Sequence, residues 1–528
     1  MGTYLNPGNS GFARALQSQY VDKTGLIDVV NHTIGTARNL TCISRPRRFG
    51  KSYAAQMLCA YYDRTVDSHG LFQQWKISRA ADYEKHLNQY DVIYIDMTNV
   101  MGKTNQKAFV PFLVEAVTEE LLAEYPATRT GNAFDETLLS VVEQTDKRFI
   151  MIIDEWDAPI REFSDQAVNE YLLFLRMMFK SSSTTARNFD AVYMTGILPI
   201  KKLMTQSALS DFMEYTMLRP GPFAEYVGFT EEEVRELCQE DGADFSEMKR
   251  WYDGYELRNV GSIYNPNSVM NAIYVGEFDS YWSQSSAADN LLKYIKWNVG
   301  GLRQAIIELM GGVEIEIDTA GYNNDLTYST RDAALTMFVH LGYLAFNQAR
   351  KTVRIPNEEI RLEFERTFRS TQNEETMKRV QESDQLIMDT IHGNAEAVAA
   401  QIKKVHMETT NPLNANREDS LRAVIQVAYF AYKDYYMKLE ELPTGEGYAD
   451  IVYLPKPGKG VPALLVELKW NRSAVGAIQQ IKDKQYPHVL KGYGGELLLV
   501  GINYDKDGKE YECRIEKWDY HIRKSRDN

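Results

Sequence analysis

The chain has 528 residues, which is too long for a single hydrophobic core, so two or three domains are expected. Hydrophobic residues make up 44% and charged residues 25%, a composition that is ordinary for soluble globular proteins. There is no run of about 20 apolar residues, no signal-peptide pattern at the N-terminus, and no metal or disulfide spacing among the 4 cysteines. We therefore expect a cytoplasmic protein without a membrane partner.

The charge balance limits the partners that the surface as a whole can bind. The formal net charge is −14, and an acidic surface repels the phosphates of nucleic acids. Binding of nucleic acid would therefore need basic contacts confined to one groove. The charge weighs against such a partner without excluding it.

The first chemical motif follows a short buried strand predicted at 40–44. A loop at 45–50 leads into Lys51 and Ser52, which open a helical pattern. This order of strand, loop, Gly-Lys-Ser and helix is the context of a phosphate-binding loop, where backbone N–H groups and the helix N-terminus hold the phosphates. Lys51 would reach the β- and γ-phosphates of ATP, and the Ser52 hydroxyl would bind Mg²⁺.

The neighbouring loop residues supply further predicted contacts. The predicted nucleotide-binding residues of this segment are Arg48, Phe49, Gly50, Lys51, Ser52 and Tyr53. Arg45 stands where the general motif has its first glycine, so the motif is incomplete at that position. Arg45 and Arg47 could bind phosphate or pair with acidic residues of a neighbouring domain.

Two acidic residues follow a second buried strand. The apolar run 149–153 ends in Asp154 and Glu155, and open α/β sheets bind ligands at the carboxyl ends of such strands. Asp154 would bind Mg²⁺ through its water shell, and Glu155 would polarise the attacking water as a catalytic residue. The strand 191–195 ends in Thr195, which could sense the γ-phosphate. An acidic helix cap at Asp154 and Glu155 is the structural alternative.

The middle of the chain has a different pattern. Strands at 40–44, 91–95, 149–153 and 191–195 imply a parallel sheet, whereas the region 221–405 is mostly helical. Within it, Thr230 followed by three glutamates predicts the start of a helix. The aromatic segment 251–255 predicts a packed turn, with a structural role favoured over a ligand contact.

The second chemical motif lies near the C-terminus. Asp450 lies early in one apolar strand pattern, and Glu467 and Lys469 close the next. Because side chains alternate along a strand, Glu467 and Lys469 share a face, and a hairpin would bring Asp450 to them. Two carboxylates and an ammonium group suit a divalent cation, Mg²⁺ or Mn²⁺, and an activated water. An ordinary ion pair between Glu467 and Lys469 is the alternative.

The flanking elements add to this motif. Glu418 opens an upstream helical pattern and could complete the metal shell. Downstream, Gln480 and Tyr486 could position the substrate or brace the site. The order helix, strand, Glu-x-Lys strand, helix, strand resembles the core of the PD-(D/E)XK nuclease superfamily.

A second resemblance covers nearly the whole chain and is to the AAA-ATPase-like family of bacterial proteins. The segments that carry it are 20–27, 45–52, 149–160, 191–197, 227–234, 251–255 and 264–268. In that family the first glycine of the phosphate loop is typically replaced, so Arg45 agrees with it. Members commonly end in a PD-(D/E)XK nuclease-like domain.

Both resemblances imply an α/β protein of three domains. These would be a P-loop AAA-type ATPase core with a parallel sheet at 1–220, a mostly helical lid or connecting region at 221–405, and a restriction-endonuclease-like α/β domain at 406–528. The implied cofactors are ATP and Mg²⁺, with Mn²⁺ as a substitute at the nuclease site. The implied partner is nucleic acid, with DNA favoured, and a homo-oligomer fits the class.

These expectations combine into an ATP-hydrolysing enzyme whose ATPase gates or positions a metal-dependent nuclease. One alternative is a nucleotide-dependent switch, or a defence or signalling scaffold, whose nuclease-like domain binds nucleic acid without cutting it. Another is a nuclease with a structural ATP. Arg187 and Arg219 are candidates for an arginine that acts on a neighbouring subunit. Lys201 and Lys202 could face nucleic acid, although a plain surface loop is favoured.

Overall fold

The computed structural model describes most of the chain in several stretches. These are residues 2–131, 133–180, 182–200, 209, 211–282, 299–319, 330–370, 374–409, 418–444, 447–456, 459–484, 486–490 and 495–518. The chain divides into two compact units, the first formed by Met1–Ser285 with Glu316–Leu362 and the second by Ser286–Ile315 with Glu363–Asn528. The predicted connecting region is shared between them, and the division into three domains stays a prediction.

Strands and helices are numbered here in chain order over the described residues. The strands are β1 (Leu40–Ser44), β2 (Asp91–Asp96), β3 (Phe149–Asp154), β4 (Phe189–Gly196), β5 (Met213–Tyr215), β6 (Phe229–Thr230), β7 (Tyr255–Leu257), β8 (Gly261–Tyr264), β9 (Ile315–Glu316), β10 (Ala345–Asn347), β11 (Thr352–Arg354), β12 (Tyr436–Thr444), β13 (Gly447–Pro455), β14 (Ala463–Trp470), β15 (Leu497–Asp505) and β16 (Glu510–Trp518).

The helices of the same residues complete the order of elements. They are α1 (Ser10–Ala15), α2 (Gly25–Asn31), α3 (Lys51–Tyr62), α4 (His69–Phe72), α5 (Tyr83–His86), α6 (Met97–Lys103), α7 (Phe109–Glu124), α8 (Phe134–Thr145), α9 (Ala158–Glu162), α10 (Asp165–Phe179), α11 (Ser182–Asn188), α12 (Glu231–Asp241), α13 (Phe245–Tyr252), α14 (Pro266–Val275), α15 (Leu302–Met310), α16 (Arg331–Leu341), α17 (Glu358–Ser370), α18 (Glu374–Ile391), α19 (Ala395–Thr409), α20 (Glu418–Ala428) and α21 (Ala474–Asp483).

A five-stranded sheet in the order β2-β3-β4-β1-β5 forms the centre of the first unit. Every neighbouring pair of strands in it is parallel, which confirms the predicted parallel sheet. All residues of β1 and β3 are buried, because both faces of the sheet are covered, and β3 is a continuous apolar run up to Asp154. Ser44 is in register with Gly196, and Ile153 with Met194, so the carboxyl ends of β1, β4 and β3 lie side by side.

Short strands and helices make up the rest of the first unit. Helix α12 begins as predicted, because the Thr230 hydroxyl accepts from Glu233 N (3.4 Å) while the Glu233 carboxylate accepts from Thr230 N (2.8 Å). The predicted mostly helical region also contains the antiparallel sheet β6-β8-β7 and the hairpin β10-β11, which the sequence did not predict. These strands have two to four residues, too few for a visible alternation.

The aromatic segment 251–255 spans the end of α13, a two-residue turn and the start of β7, and it packs against another segment of the same unit. Gly254 has a φ of +120°, and a Cβ built there would lie 2.1 Å from the carbonyl oxygen of Pro356. The Tyr255 hydroxyl donates to the carbonyl oxygen of Gly342. This placement agrees with the structural role that the sequence favoured.

Alanine at Gly254 should therefore destabilise the first unit. We expect Gly254→Ala to lower its melting temperature by roughly 4 °C or more, because the new methyl group would displace the backbone at Pro356 and φ would be strained. Gly276→Ala is the matched control, since Gly276 also has a positive φ (+77°) but nothing within 4 Å of the added Cβ. Equal shifts for the two variants in calorimetry would contradict the packing role of Gly254.

A five-stranded mixed sheet in the order β12-β13-β14-β15-β16 forms the centre of the second unit. Strands β12, β13 and β14 are antiparallel, β14 and β15 are parallel, and β16 returns antiparallel to β15. Helix α21 makes the crossover between the parallel strands, and the Ser473 hydroxyl caps its start by accepting from Gly476 N (3.0 Å).

Both faces of this sheet are buried. Val466 and Val500 pack with Leu421 of α20 in one core, while Leu465 and Ile478 of α21 pack in another. The predicted order of helix, strand, Glu-x-Lys strand, helix and strand is present within this fold. The edge strands β12 and β16 add to it.

Candidate functional site

The phosphate loop of the first unit connects β1 to α3. Arg48 and Gly50 both have positive φ values (68° and 88°), which turn the chain sharply before the helix. Lys51 begins α3 and is only 4% exposed. Its ammonium group donates to the carbonyl oxygens of Arg45 (3.2 Å) and Pro46 (2.9 Å), so it folds back over its own loop.

The predicted acidic site lies directly beside this loop. Asp154 ends β3 and is 1% exposed. Its carboxylate accepts hydrogen bonds from the Thr195 hydroxyl and from Glu155 N (3.1 Å). Burial raises the pKa of Asp154, and the nearby Ser52 and Thr195 hydroxyls oppose that rise. The structure therefore brings together the loop serine, the strand aspartate and the neighbouring threonine.

Glu155 lies between two basic side chains. Its carboxylate is 3.5 Å from the Lys51 ammonium and 2.9 Å from the Arg161 guanidinium. The Glu155 backbone has a φ of +52°, an uncommon conformation for a residue with a side chain. Arg161 also pairs with Asp157 at 3.0 Å. The sequence indicated Glu155 but not its guanidinium partner.

A cavity of about 650 Å³ opens above the phosphate loop within the first unit. The predicted residues that line it are Arg48, Phe49, Gly50, Lys51, Ser52, Tyr53 and Glu155. Asp154 and Thr195 are not part of its wall. The volume is within the range of sites that bind nucleotide-sized ligands.

The apolar side of this cavity was not predicted. Its larger apolar or aromatic lining residues, besides those predicted, are Tyr20, Met57, Tyr226, Phe229, Met270 and Tyr274. They come from the N-terminal segment, α3, the residues just before β6, β6 itself and α14, which are far apart in sequence. Tyr20 and Phe229 lie in segments that carry the family resemblance, and the sequence carried no signal for the others, because local periodicity does not reveal convergence over such distances.

The arginines of the loop have different surroundings. Arg45 is fully buried, and its guanidinium donates to the carbonyl oxygen of Ser44 (3.1 Å) while Nε and Nη2 have no hydrogen-bond partner. Burial lowers the pKa of Arg45 to about 10. Arg45 is not part of the cavity wall, whereas Arg48 lines the cavity and donates to the carbonyl oxygen of Tyr281. The placement of Arg45 favours a packing role over phosphate contact.

Other predicted basic contacts stay predictions. Arg187 pairs with Glu143 at 3.0 Å, and Arg219 donates its backbone N–H to Thr216. Neither arrangement tests action on a neighbouring subunit. Lys201 and Lys202 lie outside the described residues.

The second site lies on adjacent strands of the second unit. Ile451 of β13 pairs with Val466 of β14, and the antiparallel register therefore places Asp450 opposite Glu467. The Asp450 carboxylate accepts from Leu468 N at 2.8 Å, and the Lys469 ammonium is 2.9 Å from Glu467 Oε1. The structure thus brings the three predicted side chains to one place.

Glu467 is the most buried member of this group, at 2% exposed. Its Oε1 accepts from Lys469 and from the Gln480 amide, whereas Oε2 is buried without a hydrogen-bond partner. Burial, and then the nearby Asp450 carboxylate, raise the pKa of Glu467, and Lys469 opposes the rise. An unsatisfied buried carboxylate oxygen needs an explanation, and a cation ligand is one.

The remaining predicted residues lie around this group. Tyr486 is 1% exposed and packs in the apolar core with Ile478, which suits a bracing role better than substrate contact. Glu418 begins α20, but its side chain is outside the described part of the structure. Arg422 of α20 lies 3.2 Å from the Asp450 carboxylate. Among the side chains that the structure describes, no group of three or more His, Cys, Asp or Glu could hold a metal ion.

Comparisons with known proteins agree with the first site. Residues 12–204 match the model of the AAA-ATPase-like family, described as a predicted AAA-ATPase. The "uncharacterized protein in vnfD 5′ region" of Azotobacter chroococcum mcd 1 is 22% identical over 522 residues, which is 93% of each chain. No helix among the described residues is both long and apolar enough to cross a membrane.

Two solved structures resemble the chain in part. A Walker-type ATPase of Pyrococcus abyssi is 13% identical with a TM-score of 0.32, covering 65% of this chain and 94% of its own. The ORC2 protein of Aeropyrum pernix, solved with ADPNP and ADP, is 11% identical with a TM-score of 0.31, covering 66% of this chain and 95% of its own.

The parallel sheet, the phosphate loop and the family match define the class of the N-terminal region. It is an ATP-binding P-loop domain of the AAA ATPase type.

Proposed function

We propose that the protein binds and hydrolyses ATP at the first site, and that this ATPase gates or positions a metal-dependent nuclease at the second. The observation that carries the nuclease assignment is the buried Oε2 of Glu467, which lacks a hydrogen-bond partner beside Asp450 and Lys469. A carboxylate that accepts nothing from the protein at one oxygen is suited to a cation.

At the first site the phosphates of ATP would bind at the N-terminus of α3. Lys51 would exchange the carbonyl oxygens of its own loop for the β- and γ-phosphates. A bound Mg²⁺ would neutralise charge on the phosphates, and the Ser52 hydroxyl and Asp154 carboxylate suit it because they are neighbouring oxygen ligands beside the phosphate loop. Glu155 would orient and polarise the attacking water.

The base of the nucleotide would occupy the apolar side of the cavity. Tyr20, Met57 and Tyr274 there offer ring and thioether surfaces to a planar base. Adenine suits this surface, in agreement with the ATPase class of the domain. The Thr195 hydroxyl donates to Asp154, and this hydrogen bond would change when the γ-phosphate is bound or lost.

At the second site Asp450 and Glu467 would hold Mg²⁺ or Mn²⁺, and Glu418 could complete the shell. The bound cation would supply Lewis-acid activation of a phosphodiester. Lys469 would orient or deprotonate the attacking water and stabilise the charge that develops on the phosphate. Gln480 would fix Glu467, since its amide already donates to that carboxylate. The substrate would be nucleic acid, with DNA favoured.

One observation favours the alternative of a switch or scaffold that binds nucleic acid without cutting it. Asp450 is paired with Arg422, and Glu467 Oε1 is engaged by Lys469 and Gln480. Among the described side chains, Asp450 and Glu467 are not joined by a third His, Cys, Asp or Glu that could complete a metal site. A domain of this kind could use Arg422 and Lys469 to bind a phosphate without a metal.

A cleavage panel separates the two functions. Single- and double-stranded DNA and RNA would be incubated with the full chain and Mg²⁺ or Mn²⁺, with and without ATP. We expect metal-dependent cutting of DNA at a rate that changes with ATP. Measurable ATP turnover without cutting of any substrate would reject the nuclease and favour the switch. Cutting that ATP does not affect would reject the gating.

A further inference from the structure

An ion-paired arginine holds the carboxylate of Glu155. The Arg161 guanidinium is 2.9 Å from Glu155 Oε2 through Nη2 and 3.0 Å from Asp157 Oδ2 through Nε. The Arg161 side chain is 13% exposed, that of Glu155 is 20% exposed and that of Asp157 is fully buried. At this degree of burial the two contacts restrict the guanidinium far more than a surface pair would.

Asp157 is itself fixed to the end of β4. Its Oδ1 and Oδ2 accept the backbone N–H groups of Ile197 (3.1 Å) and Leu198 (3.0 Å). A Cβ at Gly196 would lie 2.5 Å from the Trp156 ring and 2.7 Å from the same carboxylate, so glycine allows both to pack this closely. Arg161 is therefore bound on one side to Asp157, which two backbone N–H groups hold in place, and on the other side to Glu155.

The other carboxylate oxygen of Glu155 faces a second cation. Oε1 lies 3.5 Å from the Lys51 ammonium, and the positive φ of Glu155 fixes the backbone from which the side chain extends. A general base must reach the proton that it removes. Oε1 of Glu155 faces Lys51 and Oε2 is bound by Arg161. Each carboxylate oxygen therefore has a cationic partner that competes with the attacking water.

We infer that Arg161 is a positioning residue that restrains Glu155 and thereby limits the rate of ATP hydrolysis. The inference rests on the proposed role of Glu155. ATP phosphates would compete for Lys51 and release Oε1, because they carry more negative charge than one carboxylate. Arg161 would keep Oε2, since Asp157 anchors it. A movement of Ile197 and Leu198 would displace Asp157 and weaken the contact between Arg161 and Glu155. The position of the residues that follow β4 would therefore change the rate of ATP hydrolysis.

Removing the guanidinium tests the restraint directly. In Arg161→Met, a side chain of similar length without charge, we expect kcat for ATP to rise by about three- to tenfold while KM stays within about twofold. Arg161→Lys should give a smaller rise, because one ammonium cannot span both carboxylates as a guanidinium does. Binding of a fluorescent ATP analogue and the melting temperature would be measured alongside turnover.

Two controls separate the possible outcomes. Arg148→Met removes an arginine paired with Asp190 (3.3 Å) just before β3 begins, at the opposite end of that strand, and should leave turnover unchanged. Glu155→Gln should stop turnover in both the wild-type and the Arg161→Met background. If Glu155→Gln does not slow turnover, the proposed role of Glu155 fails. If Glu155→Gln does slow turnover, but Arg161→Met folds, binds ATP and hydrolyses it at or below the wild-type rate, then the role of Glu155 stands and the restraint by Arg161 is rejected.

Discussion

Replacing Lys469 with alanine should reduce cleavage of DNA by about 10²-fold or more while metal binding is retained. The Lys469 ammonium is 2.9 Å from Glu467 Oε1 and its side chain is 14% exposed, so it is held where water and phosphate would meet the carboxylates. The cleavage rate of a labelled duplex would be compared with Mn²⁺ binding measured by electron paramagnetic resonance. The proposed mechanism assigns Lys469 to the reacting groups and not to the metal shell.

Glu467→Ala should behave differently, because Glu467 is a proposed ligand. That variant should lose Mn²⁺ binding together with cleavage. Lys482→Ala is the control for removing a lysine from the same unit, since Lys482 pairs with Glu516 (2.6 Å) and has a side chain that is 34% exposed. Parental cutting by Lys469→Ala, in a protein whose melting temperature is unchanged, would show that the assigned site is wrong.

Local sequence patterns predicted the elements that are buried on both faces. Strands β1 and β3 are short and fully buried, and Lys51 after β1 lies near Asp154 at the end of β3, as expected. In the second unit the two-residue period placed Glu467 and Lys469 together. Motifs confined to one strand and its following turn can be predicted because local geometry fixes them.

The two edge strands of the second unit's sheet, β12 and β16, were not predicted, and the reason is physical. Strands β12 and β16 lie at the two edges of their sheet, and five of the nine residues of β16 are charged. Partial exposure lets polar residues occupy most positions, so the apolar signal that marks β14 is absent. The three residues of β5 are too few to show a pattern.

Contacts that depend on distant segments could not be predicted either. Tyr20 and Met270 reach the same cavity as Lys51 only because the fold brings the N-terminal segment and α14 to the phosphate loop. Arg161 is only six residues after Glu155, but its role depends on Asp157 being anchored to β4. The sequence indicated the chemistry of each site and left its surroundings to the tertiary structure.

Lys51→Met should abolish ATP hydrolysis mainly by weakening ATP binding. Hydrogen bonds to charged groups contribute about 1.5–3 kcal/mol, so loss of the ammonium should raise the Kd for ATP by roughly 10- to 150-fold. Turnover at saturating ATP should fall as well, since the ammonium would no longer neutralise charge at the γ-phosphate. Isothermal titration calorimetry with ATP and a coupled turnover assay would measure the two effects.

The same substitution also leaves groups of the resting loop without a partner. The carbonyl oxygens of Arg45 and Pro46 would lose the Lys51 donor, and Glu155 would keep only Arg161. Lys249→Met serves as the control, because Lys249 pairs with Glu231 (2.7 Å) with half of its side chain exposed to solvent. Normal ATP affinity in Lys51→Met would contradict the phosphate-binding role. Weak ATP affinity together with a wild-type melting temperature would show that the missing ammonium itself weakens binding, because an unfolded loop would lower both the affinity and the melting temperature.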